Sequence, residues 1–200
     1  MTHQKTSTDR RSFLKSSALA GGGLIISFTW LSSFRFAGKL NDPEQWIEIN
    51  GYIKITPDNI IKILNPNPEF GQNVMTSLPM IVAEELDVDW EKVVVEMGPH
   101  DSVKLGPQFT GGSNSVRMYW KPLREAGAAA RIMLMQAAAD TWKVPAEELD
   151  TKAGIIVHAN SMKSGSYGEF ASKAANIPVP TGVKPKDVRT FSVVRNSRKT

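Results

Sequence analysis

From Gln108 to Arg124 the chain reads Gln-Phe-Thr-Gly-Gly-Ser-Asn-Ser-Val-Arg-Met-Tyr-Trp-Lys-Pro-Leu-Arg, a glycine pair feeding a helix start, with basic side chains and no acid. That pattern suits an anion. Helix starts ordinarily carry Asp or Glu in the first turn to offset the positive end of the macrodipole, whereas here the first acid after Ser113 is Glu125. In a helix beginning near Ser113, the free N–H groups and the backbone of Thr110, Gly111 and Gly112 could hold a phosphate. The plainer alternative has Ser113 or Ser115 capping the helix while the glycines make the turn. A second feature of the same kind, Gly71-Gln72-Asn73, lies upstream and adds weight to the anion reading.

Other chemistry is sparse. The chain has no cysteine, which excludes disulfides, cysteine-ligated zinc and iron–sulfur clusters within it. His3, His100 and His158 are the only histidines and form no pair at metal spacing. Any redox centre must therefore arrive as a ligand or with a partner. The formal charge of +4 looks basic, but residues 1–40 hold six of the 24 Lys/Arg and one of the 20 Asp/Glu, leaving 18 and 19 for residues 41–200. A nearly neutral body argues against nucleic acid as a partner, since that role needs basic side chains clustered on the folded part.

The basic excess sits in a leader. Asp9-Arg10-Arg11-Ser12-Phe13-Leu14-Lys15 precedes a modestly apolar run, Ser16 to Phe34, interrupted by Gly21-Gly22-Gly23. This resembles a twin-arginine export signal. An ordinary first helix fits poorly, because each glycine costs about 1 kcal/mol against alanine there. The resemblance implies a periplasmic protein, with residues 1–40 acting as a cleavable signal or a membrane anchor.

The rest, 41–200, has the size and composition of one globular domain, the whole 200-residue chain being 41% hydrophobic and 22% charged. Its front reads as short alternating strands, Trp46–Ile49, Tyr52–Ile55 and Ile60–Leu64, with turns at Asn50-Gly51 and Pro57-Asp58-Asn59. Asn65-Pro66-Asn67-Pro68 stops the third strand. A helix is expected from about Thr76 to Leu86, with Pro79 tolerated in its first turn. Lys92–Glu96 reads as a buried strand and His100–Phe109 as a loop. A long alanine-rich helical region follows from about Ser113 to Trp142, which Pro122 should kink or divide. Beyond a helical turn at 144–149, Gly154–His158 is a strand and Ser166–Ala175 a helix with a capping box formed by Ser166 and Glu169. Thr190–Val194 reads as a last strand. The interleaving predicts an α+β fold: a two-layer sandwich of a mixed sheet with helices on one face.

Several of these pieces together resemble the large subunit of molybdenum hydroxylases, the xanthine dehydrogenase family and in particular its isoquinoline 1-oxidoreductase type. Glu69–Trp90 is similar to a glycine-glutamine cofactor loop and the helix after it. Gln108–Arg117, followed by Trp120–Arg131, is similar to a second cofactor loop. Tyr167–Ala171 and Pro178–Pro180 extend the likeness over roughly residues 43–199. The resemblance implies a molybdopterin cytosine dinucleotide cofactor held by Gly71, Gln72, Thr110, Gly111, Gly112, Ser113 and Arg117. Gln72 would bond its polar groups through a carboxamide that can both donate and accept, and Thr110 to Ser113 would offer mainly backbone N–H groups. Asn73 departs from the family's usual glycine, although asparagine tolerates positive φ better than most residues. Arg117, Arg124 and Arg131 recur every seven residues and could form a stripe toward the cofactor or a partner, with Arg131 fitting a solvated face. Trp120, Trp142 and Ile132–Met135 read as packing.

The family hydroxylates an electron-poor carbon at its molybdenum centre with a glutamate as general base, and that glutamate belongs to a C-terminal region with no counterpart before Thr200. Glu69, Glu84, Glu85 and Glu96 do not match its motif. The expectation is the N-terminal cofactor-binding portion of an oxidoreductase for N-heterocycles or aldehydes, inactive alone. It would depend on the remaining large-subunit segments, a 2Fe–2S small subunit and a cytochrome c acceptor. The rival is an exported binding or scaffold protein that retains the fold without catalysis.

Overall fold

The computed structural model describes residues 46–195. The proposed leader and the boundary near residue 40 lie outside them. Four strands, β1 (Ile47–Asn50), β2 (Ile53–Ile55), β3 (Ile61–Asn65) and β4 (Val93–Met97), form one sheet in that order. β1, β2 and β3 pair antiparallel, while β3 and β4 pair parallel from Ile61↔Val93 to Asn65↔Met97. Parallel neighbours need a crossover, and helix α1 (Val74–Leu86) supplies it. The mixed sheet and the helices packed on it match the expected α+β class.

The alternation in β2 and β3 sets the two faces. Ile53, Ile55, Ile61 and Ile63 are fully buried, while Lys54 and Lys62 point the other way, where Lys62 pairs with Glu96 and lies 4.4 Å from the Trp46 ring centroid. The valine run that suggests a buried strand is half-exposed in β4, because β4 is an edge of the sheet.

After a short helix α2 (Ser102–Leu105), placed where a loop was expected, the chain enters α3 (Ser115–Trp142). α3 lies along α1, with Ala128, Ala130, Ala137 and Ala138 fully buried. Small side chains permit the approach, and a Cβ on Gly127 would stand 2.7 Å from the Val82 carbonyl oxygen. The expected place of Pro79 needs correction, and so does the division that was one alternative at Pro122. Pro79 is the sixth helical residue rather than part of the first turn, since α1 starts two residues early. Pro122 neither ends nor divides α3, which runs unbroken for 28 residues. Each proline removes one i→i−4 bond, and at exposed Pro122 the freed carbonyl belongs to exposed Met118, where water can take its place.

A second, antiparallel sheet of β5 (Leu149–Lys152), β6 (Ile155–His158) and β7 (Lys163–Ser166) was legible only through β6. Buried His158 bonds Ser161 at 2.6 Å and Glu148 at 2.9 Å, fixing the turn after β6. Helix α4 (Tyr167–Ala174) begins with the expected capping box, and the Tyr167 hydroxyl donates to the Leu86 carbonyl at 2.7 Å.

Residues 190–194 form no strand. Phe191 and Val193 are buried, as alternate residues of a strand would be, but the amides of Ser192 and Val194 donate to the Glu84 carboxylate at 2.8 and 2.9 Å. Glu85 next to it accepts from the Lys186 amide at 2.7 Å and from Arg124 Nε at 2.6 Å. Two fully buried glutamates of α1 thus clamp the C-terminal segment.

Candidate functional site

The two glycine loops meet. Phe70, Gly71, Gln72, Val74 and Ser77 from the first loop and α1, with Thr110, Gly111, Ser113, Ser115 and Val116 from the second loop and α3, line one open crevice of about 550 Å3. That volume is in the range of small-ligand sites. Of the sequence-derived candidates, Gly71, Gln72, Thr110, Gly111 and Ser113 share this lining. Gly112, in the turn before α3, and Arg117, in the first turn of α3, are outside it.

What bolts the loops together is a residue that the sequence suggests only as part of a strand stop. Asn67 is fully buried and donates through Nδ2 both to the Phe109 carbonyl and to Ser115 Oγ, each at 2.9 Å. Thr110 Oγ1 adds a bond to the Pro68 carbonyl at 2.9 Å. The signal was present in Asn-Pro-Asn-Pro: proline removes backbone donors, so an asparagine between two prolines is placed to bond through its side chain instead.

Although both loops are glycine-bearing, their electrostatics differ. In the first, Glu69 Oε1 accepts from the amides of Gly71 (2.7 Å) and Asn73 (3.0 Å), and Oε2 from Met75 (3.0 Å). These amides hold its carboxyl below the usual glutamate range, Met75 contributing most. Gln72 also closes on its own loop, with Oε1 accepting from Phe70 N and Nε2 donating to the Pro68 carbonyl at 2.9 Å. Asn73 adopts the left-handed conformation, φ 64°, that the departure from glycine demanded. At Gly71, φ +97°, the position of an added Cβ meets nothing within 4 Å, so this backbone faces open space.

The second loop leaves two adjacent amides unused. Gly112 and Ser113 both take positive φ, 58° and 53°. Among the described residues their amides have no hydrogen-bond partner. Neither serine caps α3; the cap position is Asn114, and its side chain bonds no helix amide because Oδ1 accepts from Arg117 Nη2 at 2.7 Å. With no acid in the first turn, the start of α3 remains positive. Gly111 serves packing instead, since a Cβ there would stand 2.5 Å from Phe109 Cζ, and its absence seats the Phe109 ring.

The arginine stripe divides by role. Arg117 is exposed beside the second loop, and Arg124 is committed to Glu85. Arg131 is half-buried with Nε enclosed and unpartnered, which corrects the solvated-face expectation. Trp120 and Trp142 pack at the core margin against Phe191 and Phe170, as expected. Among the described residues no cluster of three or more His, Asp or Glu side chains is placed to hold a metal.

Comparison with known proteins fits this geometry. A family model described as a molybdopterin cofactor-binding domain matches residues 4–193. The chain belongs to that family. It is 42% identical over 137 residues to isoquinoline 1-oxidoreductase subunit beta of Brevundimonas diminuta, covering 66% of this chain and 17% of that protein. It is 32% identical over 176 residues, 85% of this chain and 22% of the other, to a membrane-bound aldehyde dehydrogenase [pyrroloquinoline-quinone] of Gluconacetobacter polyoxogenes. A crystal structure of quinoline 2-oxidoreductase from Pseudomonas putida 86 matches with a TM-score of 0.48 and 20% identity, over 63% of this chain and 16% of that one. The chain thus spans about a fifth of the length of these curated relatives.

The unequal loops give a pH prediction. The folded pKa of Glu69 is depressed, so its contribution to loop order is complete above the unfolded value of about 4.3 and is lost as pH falls through the lower folded value. Amide-exchange protection at Gly71, Asn73 and Met75 is expected to stay level above about pH 5 and to collapse on further acidification. Glu69→Gln should flatten that profile; equal profiles in both proteins would remove Glu69 from this role.

Proposed function

We propose that this molybdopterin cofactor-binding domain is the cofactor-holding portion of a molybdenum-dependent hydroxylase of N-heterocycles or aldehydes. The observation that carries the reading is the shared crevice: two loops some 40 residues apart are bolted by Asn67, and Ser113, whose amide is unused, stands on one wall. The residues fit the group. The unused amides of Gly112 and Ser113 beside the start of α3 suit a phosphate, Gly71 leaves room for close approach, and a crevice with both apolar and polar walls suits a ring-bearing dinucleotide. Gly71, Gln72, Thr110, Gly111 and Ser113 would line it, with Gly112 and Arg117 supporting the phosphate side.

When bound, the cofactor supplies the metal centre and its redox chemistry, which this chain's own side chains do not provide. The residues described here bind and orient. The cytosine dinucleotide form, the remaining large-subunit segments, a 2Fe–2S subunit and a cytochrome c acceptor belong to the proposal through the resemblance to the isoquinoline 1-oxidoreductase type. Export to the periplasm by the twin-arginine route belongs to it through Arg10-Arg11 and the apolar run after them.

The test is compositional. Produced in a host that makes dinucleotide forms of the cofactor, and isolated with the subunits that accompany it, the chain is expected to carry molybdenum and to release cytidine monophosphate on acid hydrolysis in near-equal amounts. Guanosine monophosphate in its place would exclude the cytosine form, and a preparation holding neither metal nor nucleotide would defeat the whole reading.

A further inference from the structure

Phe70 is 76% exposed, which is costly for a side chain of its size, yet its backbone is tightly fixed. Its own amide donates to Gln72 Oε1, the Gly71 amide donates to Glu69 Oε1, and Gln72 Nε2 donates to the Pro68 carbonyl. A rigid loop thus presents one aromatic ring to the crevice, next to the open backbone of Gly71 and the apolar side chains of Val74 and Val116. Presentation by an ordered backbone lowers the entropic cost of binding.

The crevice is also polarised. Glu69 fixes a negative charge on the Phe70 side and occupies that loop's donors, so a phosphate gains nothing there and meets a like charge. The opposite side carries Ser113 with its unused amide, next in the chain to the unused amide of Gly112 and to the uncompensated start of α3, whose first turn includes Arg117. A ligand with a planar ring at one end and a phosphate at the other can lie in only one direction.

We propose that Phe70 is a specificity-determining residue that stacks a heteroaromatic ring of the ligand, while the ligand's phosphate lies against Gly112–Arg117. This rests on the cofactor-binding reading above and adds to it the orientation and the ring contact. Stacking a base on an aromatic side chain contributes about 1–3 kcal/mol, equivalent to about 5- to 150-fold in affinity.

The experiment titrates the 200-residue chain, by calorimetry or NMR shifts, with pyrophosphate, cytidine 5′-diphosphate and a pterin monophosphate. Phe70→Ala is expected to weaken at least one ring-bearing probe about 5- to 150-fold and to leave pyrophosphate unchanged, and Phe70→Trp should retain the affinity. The probe that weakens shows which ring system lies on Phe70. Phe109→Ala, on a ring held over Gly111 outside the crevice lining, should not reproduce the selectivity. An exposed side chain leaves the fold intact on truncation, which a thermal melt verifies. If pyrophosphate binds but Phe70→Ala leaves both ring-bearing probes untouched, the Phe70 ring takes no part in binding and the stacking proposal is wrong. If no probe binds the unaltered chain, the cofactor-binding reading falls with it.

Discussion

Arg124→Ala is expected to lower unfolding free energy by about 3–5 kcal/mol, the usual penalty for stripping the partner from a buried ion. The Glu85 side chain is 0% exposed and receives Arg124 Nε at 2.6 Å, so its carboxylate would keep only the Lys186 amide. Arg124 does more than neutralise. Its guanidinium donates to the Lys186 carbonyl and stands 5.3 and 5.2 Å from the Trp120 and Phe191 ring centroids. One planar cation therefore joins α1, α3 and the C-terminal segment, and Arg124→Lys should recover little because an ammonium lacks the fork and the stacking plane. Urea denaturation gives the number, and limited trypsin digestion gives the location: cleavage near Lys186 and Arg189 should accelerate well beyond cleavage elsewhere. A loss under about 1 kcal/mol would mean that the pair is hydrated and behaves as a surface bridge.

The same residues show why sequence reading reached some features and missed others. Strands β2 and β3 were legible because isoleucine and lysine alternate at the period a half-buried strand imposes, and α4 because Ser166 and Glu169 stand at capping-box spacing. Both signals are local. Glu84 and Glu85 carry no local mark, since two adjacent acids on a helix ordinarily face water; their burial depends on a segment about a hundred residues later arriving with its amides free. The strand expected at 190–194 failed for the same reason: the alternation of Phe191 and Val193 was real, but a carboxylate took the amides a neighbouring strand would have used. At the crevice, the glycines and Gln72 were visible by type, and the left-handed Asn73 followed from asparagine's tolerance of positive φ. What remained hidden was the inequality of the loops. Glu69 reaches forward to three amides, and Arg117 occupies the cap oxygen of Asn114, both side-chain choices that composition does not reveal.

Asn67→Asp should then separate packing from hydrogen bonding at the joint on which the crevice depends. Aspartate keeps the shape of asparagine but in ionised form cannot donate, so the Phe109 carbonyl would lose its buried donor and face a carboxylate, while Ser115 could stay bonded only by turning its hydroxyl to donate. Leaving buried polar groups unsatisfied costs about 1–3 kcal/mol each, and the expected loss is about 2–4 kcal/mol for Asn67→Asp and similar for Asn67→Ala. Part of the cost is offset, because Asn67 Oδ1 is itself enclosed without a partner and alanine removes it. The functional effect should exceed the stability effect. Among the described residues the second loop has only Thr110 Oγ1 to Pro68 as its other hydrogen bond to the first, so losing Asn67 lets the Gly112–Arg117 amides move relative to Phe70 and Gly71. Binding of cytidine 5′-diphosphate should fall at protein concentrations and temperatures where circular dichroism still reports a folded domain. A folded Asn67→Asp protein with unchanged probe affinity would show that the loops hold their positions without this side chain, and the crevice would then be a consequence of the sheet and helices alone.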